Sequence, residues 1–239
     1  MLYSVLKAEF IKLRRSIIWL VIFILPIISA VLGTSNYLLN QDILTNGWFS
    51  LWTQHTLFLC YFFLPAMFGV FASYLWQLEH QNHNWNLIIA SPIPRVYHFL
   101  AKFIAMIVFV IFTQSWIGIL FILSGKLSNV RTSVPDELGS WIYFGILAGS
   151  TCGAIQLCIS MMIKNFATPV GLALIGGIIG LAFYAKGYGN LFPYSLLEVG
   201  MQANVSHASL GHQGLITSCA FYTVISITFA YFWMKNQDV

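Results

Sequence analysis

Glu79, His80 and His83 put a carboxylate and two imidazoles on one short stretch, and their H-x-x-H spacing is the nearest the sequence comes to a metal-binding pattern. No third clear ligand stands beside them, and His207 and His212 lie far along the chain. Cys60, Cys152, Cys158 and Cys219 sit within apolar stretches without metal-site spacing, so they read as small packing residues. No Ser/His/Asp or Cys/His arrangement that would activate a nucleophile can be picked out. ATP hydrolysis would need G-x-x-x-x-G-K-[ST], whose amides and lysine hold the phosphates. The one Gly-Lys pair, Gly125-Lys126, runs into Leu127 instead. Catalysis by this chain is disfavoured, which leaves the chemistry of binding and movement.

The elements that must position any functional group are set by the solvent. Of 239 residues, 59% are apolar and 16% aromatic, the mean hydropathy is +0.80, and only 8% carry charge. A soluble domain is roughly 45–50% apolar and about 25% charged, so a water-soluble globule is excluded. The net charge of +4 comes from basic residues scattered along the chain apart from one cluster near the start, which argues against a nucleic-acid partner. Long apolar runs place membrane spans near residues 16–36, 53–76, 99–124, 140–163, 166–185 and 213–234. In lipid each run must satisfy its own amides and therefore forms a helix. The expectation is an all-α polytopic membrane protein with six transmembrane helices in a single domain, residues 1–239. Pro26 and Pro65 fall inside the first two spans and should kink them.

Lys7, Lys12, Arg14, Arg15, Arg95, Lys102, Lys164 and Lys235 flank one side of these spans, and Lys126, Arg131 and Lys186 flank the other. Retention of basic residues inside the cell puts both termini in the cytoplasm, and an even number of spans, which leaves both termini on one side, agrees with that. The basic start followed by an apolar run imitates a secretory signal. Glu9 within it, Pro26 interrupting it and the lack of an A-x-A-like site make it a retained anchor. The spans hold no central Asp, Glu, Lys or Arg and no evident inverted repeat, which disfavours an ion-coupled carrier. Gln114 and Gln156 are expected to bond across helices. The glycine faces Gly145/Gly149/Gly153 and Gly176/Gly180 allow close helix approach, within the subunit or between subunits.

Three segments could carry function. Leu2, Leu6, Phe10 and Leu13 line one side of residues 1–15 at helical spacing, as in an amphipathic interfacial helix. Glu9 falls among these apolar positions, so either the helix is irregular or that face meets protein; the basic residues alone are equally explained as a flank that sets topology. Between the second and third spans, Pro92 and Pro94 stop any short helix over residues 80–90. That stub, lying along the membrane with Trp85 and Leu87 as apolar anchors, would dock into a groove on a cytosolic partner or rest among lipid headgroups. Residues 186–212 are rich in helix breakers yet carry apolar patches around Leu191, Phe192 and Leu196. They form either half-helices dipping back into the outer leaflet or a plain external loop.

Glu79, Trp85-Asn86-Leu87, Ser91-Pro92 and Arg95, with Glu9-x-x-Lys12-x-Arg14 at the start, resemble the permease subunits of ABC-2 type transporters. The short six-span chain with a late Pro-Tyr-Ser, at residues 193–195, is similar within that group to the lantibiotic-immunity permeases. The resemblance implies that residues 80–92 form a cytoplasmic coupling helix seated on an ATPase, using Glu79, Trp85, Asn86, Leu87, Ser91, Pro92 and Arg95. It implies an interfacial helix carrying Glu9, Lys12 and Arg14, and external re-entrant helices whose gate includes Phe192, Pro193, Tyr194, Leu196 and Glu198. The implied partners are two copies of an ATP-binding subunit, a second permease subunit, identical or related, and the lipid bilayer of a bacterial cell. No cofactor is expected on this chain, with ATP and Mg on the partner ATPase. The implied cargo is an amphipathic antimicrobial peptide; another lipophilic substrate, or a non-transport scaffold or sensor, is the alternative.

Overall fold

Because lipid offers nothing for a backbone amide to bond to, the apolar runs bond within themselves, and the described residues are helical without a strand. The computed structural model describes residues 1–14, 16–81, 84–85, 92–203 and 212–236. The long elements are α1 (Leu2–Leu13), α2 (Ile18–Leu39), α3 (Gly47–Phe58), α4 (Leu64–His80), α5 (Val96–Leu127), α6 (Leu138–Met162), α7 (Ala167–Ala185) and α9 (Gln213–Lys235). A π-helical turn, Leu59–Phe63, joins α3 to α4, and a 3-10 turn, Gly189–Leu191, precedes the short α8 (Leu196–Gly200).

Among the described residues six helices are long and apolar enough to cross a bilayer, and each contains the core of an expected span. The second is longer than the sequence suggests, running as one unit from Gly47 to His80. Its early part is rich in Trp and polar residues, whose groups find partners inside the protein. Trp48 Nε1 donates to the Thr132 carbonyl at 2.8 Å, and Thr34 Oγ1 meets His55 Nε2 at 2.9 Å. The expected kinks differ in form. Helix α2 continues through Pro26, whereas Pro65 sits in the first turn of α4, where a missing N–H is tolerated, directly after the π turn.

Helix α4 is the axis of the bundle, packed on α6 and α7 and joined to α2 and α5. Close approach to α7 depends on glycine. A Cβ at Gly177 would lie 2.2 Å from the Tyr61 carbonyl of the π turn and 2.9 Å from Pro65 Cγ. The Gly145/Gly149/Gly153 face also packs inside the chain, against Gln114, Val110 and Met106. The outer surfaces of α2, α7 and α9 expose Ile24, Val31, Ile175, Ile178, Val224 and Phe232, a surface suited to lipid. Helix α1 lies at one end of the bundle, together with the close of α4, the start of α5 and the close of α9. At the other end the α2–α3 and α5–α6 connections enclose a vestibule of about 750 Å³, lined by Gln41, Trp48, Arg131, Asp136 and Glu137 among others.

Candidate functional site

Glu9 fixes the position of α1. Val5, Glu9 and Leu13 follow one another at single-turn spacing and are all buried, so the face that carries the carboxylate meets protein and the helix is regular. What it meets is Lys102, in the second turn of α5, whose side chain is completely buried. The Lys102 ammonium donates to both Glu9 oxygens at 3.0 Å, to Glu79 Oε1 at 2.7 Å and to the Leu75 carbonyl at 2.6 Å, and lies 4.9 Å from the Trp76 ring centroid. Lys12 completes a quartet, reaching Glu9 at 3.0 Å and Glu79 at 2.8 Å. Two carboxylates thus face two ammonium groups with no formal charge left over. Burial alone would lower the Lys12 pKa; the Glu9 and Glu79 carboxylates outweigh it and raise it above the ordinary lysine value.

The quartet ties α1, α4 and α5 together at the place where the chain leaves span two and returns as span three. An aromatic cluster adjoins it. The Trp85 ring lies 5.8 Å from Trp76, 6.1 Å from His80 and 5.6 Å from Trp233 of α9. Trp85 is half-buried against its own bundle, whereas the sequence reading has it facing outward as an anchor. His80 Nε2 donates to the Ser160 carbonyl at 3.0 Å, bringing the close of α6 into the same assembly. Arg95 Nη1 donates to the Met234 carbonyl at 2.8 Å, in the last turn of α9, where a cation complements the exposed carbonyls. Arg14 and Pro92 are exposed, and Asn86, Leu87, Ser91 and His83 lie outside the described residues. A cleft of about 440 Å³ opens beside the quartet, bounded by Val5, Ala8, Lys12, Leu78, Asn84 and His98 among others.

Beyond α7 the chain turns at Gly187, whose φ of +80° favours glycine, and folds back against the bundle. Phe192 stacks on Phe183 at 5.0 Å, and the Pro193 carbonyl accepts from Cys152 Sγ at 3.1 Å. The Tyr194 ring crosses Gly176, near the middle of α7, and its hydroxyl donates to Gln156. Leu196, Leu197 and Glu198 are fully buried. Trp52 Nε1 closes the segment by donating to the Met201 carbonyl at 2.7 Å. Gln114 and Gln156 do bond between elements, Gln114 to Met201 Sδ at 3.5 Å and Gln156 to the Pro169 carbonyl.

The six-span bundle, with its basic helix α1 tied to the two helices that flank the loop between spans two and three, can be set beside known proteins. The sequence model described as "ABC-2 family transporter protein" matches residues 5–180. The chain belongs to the ABC-2 transporter family. It is similar to the bacitracin transport permease protein BCRB of Bacillus licheniformis, with 20% identity over 177 residues, covering 72% of this chain and 84% of that protein. As an ABC-2 permease with six apolar helices it is a multi-pass membrane protein, and permeases of this family work with an ATP-binding subunit. The matched region takes in the whole ionic quartet of this ABC-2 chain and ends within α7, before the folded-back segment. Lys102 is the residue that sequence reasoning assigns to topology and the structure assigns to the quartet. The signal that could have found it was Glu9, a carboxylate on an apolar face that needed a buried cation.

Proposed function

We propose that the chain is the transmembrane permease subunit of an ATP-driven exporter in a bacterial cell membrane, with both termini cytoplasmic. It takes its power from two copies of a separate ATP-binding subunit, which hold ATP and Mg, and pairs with a second permease subunit, identical or related. The carrying observation is that both flanks of the loop between spans two and three enter one buried cluster, Glu79 on one side and Lys102 on the other. A push on that loop moves α1, α4 and α5 as one body. Trp85 passes the same push to α9 through Trp233, so its task in this reading is transmission, while Asn86, Leu87, Ser91 and Pro92 meet the ATPase. Arg95 holds the loop to the close of α9, and Arg14 marks the cytoplasmic interface.

The cargo in this reading is an amphipathic antimicrobial peptide, as in lantibiotic self-immunity, and residues 186–212 form a re-entrant external gate. The name of the bacitracin permease relative favours peptide cargo over other lipophilic molecules. Isolation of the tagged chain from its own membrane is expected to bring down a protein with a G-x-x-x-x-G-K-[ST] motif; isolation alone would favour a scaffold or sensor. In the reconstituted complex, Trp85→Ala is expected to leave insertion and assembly intact while cargo-stimulated ATP turnover drops about fivefold or more. Unchanged stimulation would remove Trp85 from the coupling path. Loss of resistance to one peptide antibiotic on deletion, with tolerance of other lipophilic compounds unchanged, identifies the cargo class.

A further inference from the structure

Glu198 is treated quite differently from Glu9 and Glu79. Those two carboxylates share two ammonium groups, whereas among the described residues no other residue bonds either oxygen of Glu198, and both are sealed from solvent. The titratable groups facing it are Cys60 of the π turn, Cys152 of α6 and Tyr184 of α7. From α9, Cys219 acts on Cys152, and the 3-10 turn Gly189–Leu191 carries no titratable side chain. Among the described residues no Lys, Arg or His supplies a compensating charge. Burial pushes this carboxyl well above the ordinary carboxylate range. An oxygen with no exposed surface admits no metal ion or cargo amine without displacing protein, but it does admit a proton.

We propose that Glu198 is a proton-binding site that locks the segment of residues 192–203 against the bundle. The packed carboxyl is neutral. When the segment swings out, the carboxyl meets water, its O–H bond breaks, the electron pair stays on the carboxylate and the proton leaves as hydronium. This rests on the reading of residues 186–212 as an external gate. The packed state binds the proton more tightly than the open state, so packing is strongest in acid and weakens as pH rises. Between about 4.3, the ordinary glutamate value, and the raised value of the packed group, each pH unit multiplies the opening equilibrium about tenfold.

Hydrogen exchange of the peptide covering residues 192–203 tests this in the full chain held in lipid nanodiscs, read between pH 6 and 9 after correction for intrinsic exchange rates. Wild type is expected to lose protection about tenfold per pH unit until the carboxyl is ionised, then to level off. Glu198→Gln, and Glu198→Met as an apolar control for folding, are expected to give protection that no longer changes with pH. An infrared band of a protonated carboxyl present in wild type near neutrality and missing from both variants is the second readout. Protection independent of pH in wild type, or pH dependence surviving in a folded variant, overturns the proposal. Cross-linking the segment to the bundle separates it from the gate reading: unchanged export after cross-linking removes the gate and leaves the proton site to stand on the infrared band.

Discussion

Lys102→Met is expected to leave little folded protein in the membrane. The substitution keeps a long unbranched side chain in place but strands Glu9 and Glu79, whose side chains are 2% and 6% exposed, with only Lys12 to share. Removing one partner of a buried ion pair costs about 3–5 kcal/mol, because the surviving charge stays buried without compensation. Combining Lys102→Met with Glu9→Gln and Glu79→Gln removes the three buried charges and leaves Lys12, whose side chain is 35% exposed, to water, so it is expected to restore most of the loss. Thermal unfolding in detergent, together with the amount of protein recovered from membranes, reads both variants. A single variant as stable as wild type would show that the quartet does not hold α1 to the bundle.

Trp52→Ala is expected to have a comparable effect at the opposite end. Trp52 is 1% exposed, stacks on Trp141 at 4.9 Å, meets Phe121 edge-on at the same distance and donates to the Met201 carbonyl. Truncating a buried Trp to Ala costs about 3–5 kcal/mol through lost contacts and the void left behind. Trp52→Phe retains most of the ring packing and loses the donor, so only the unpaired carbonyl remains, about 1–3 kcal/mol. The two substitutions divide the anchoring of residues 192–203 into packing and hydrogen bonding. Thermal unfolding measures the first, and protease sensitivity of the segment measures the second. Equal losses in both variants would place all of the anchoring in the Trp52–Met201 bond.

The number and order of the spans were legible in composition because lipid allows one backbone solution for an apolar run. What composition could not carry was pairing. Lys102 and Glu9 stand 93 residues apart, and any lysine near a span end is already explained by topology, so nothing in the local pattern asks for a second role. Trp85 was ambiguous for a similar reason: an indole at an interface is as well placed among headgroups or on a partner as on Trp76 and Trp233. Resemblance singles out Glu79 and Arg95, yet the groups they meet inside the chain, Lys102 and the Met234 carbonyl, are visible only in three dimensions. Residues 47–52 of span two fall outside the expected run because Gly47 and Ser50 interrupt its apolar character, while the Trp48 indole donates inside the protein to the Thr132 carbonyl.

The widened turn at Leu59–Phe63 bears on how the second span carries load. Below it, α4 is bolted through Glu79 to the ionic quartet; above it, α3 is clasped through Trp52 to the folded-back segment. A π turn is a local irregularity in an otherwise uniform spring, and Pro65 beside it withholds one bond from the next coil. The two halves of span two are thus fastened to different parts of the molecule, and the five residues between them are where its regular hydrogen bonding is interrupted.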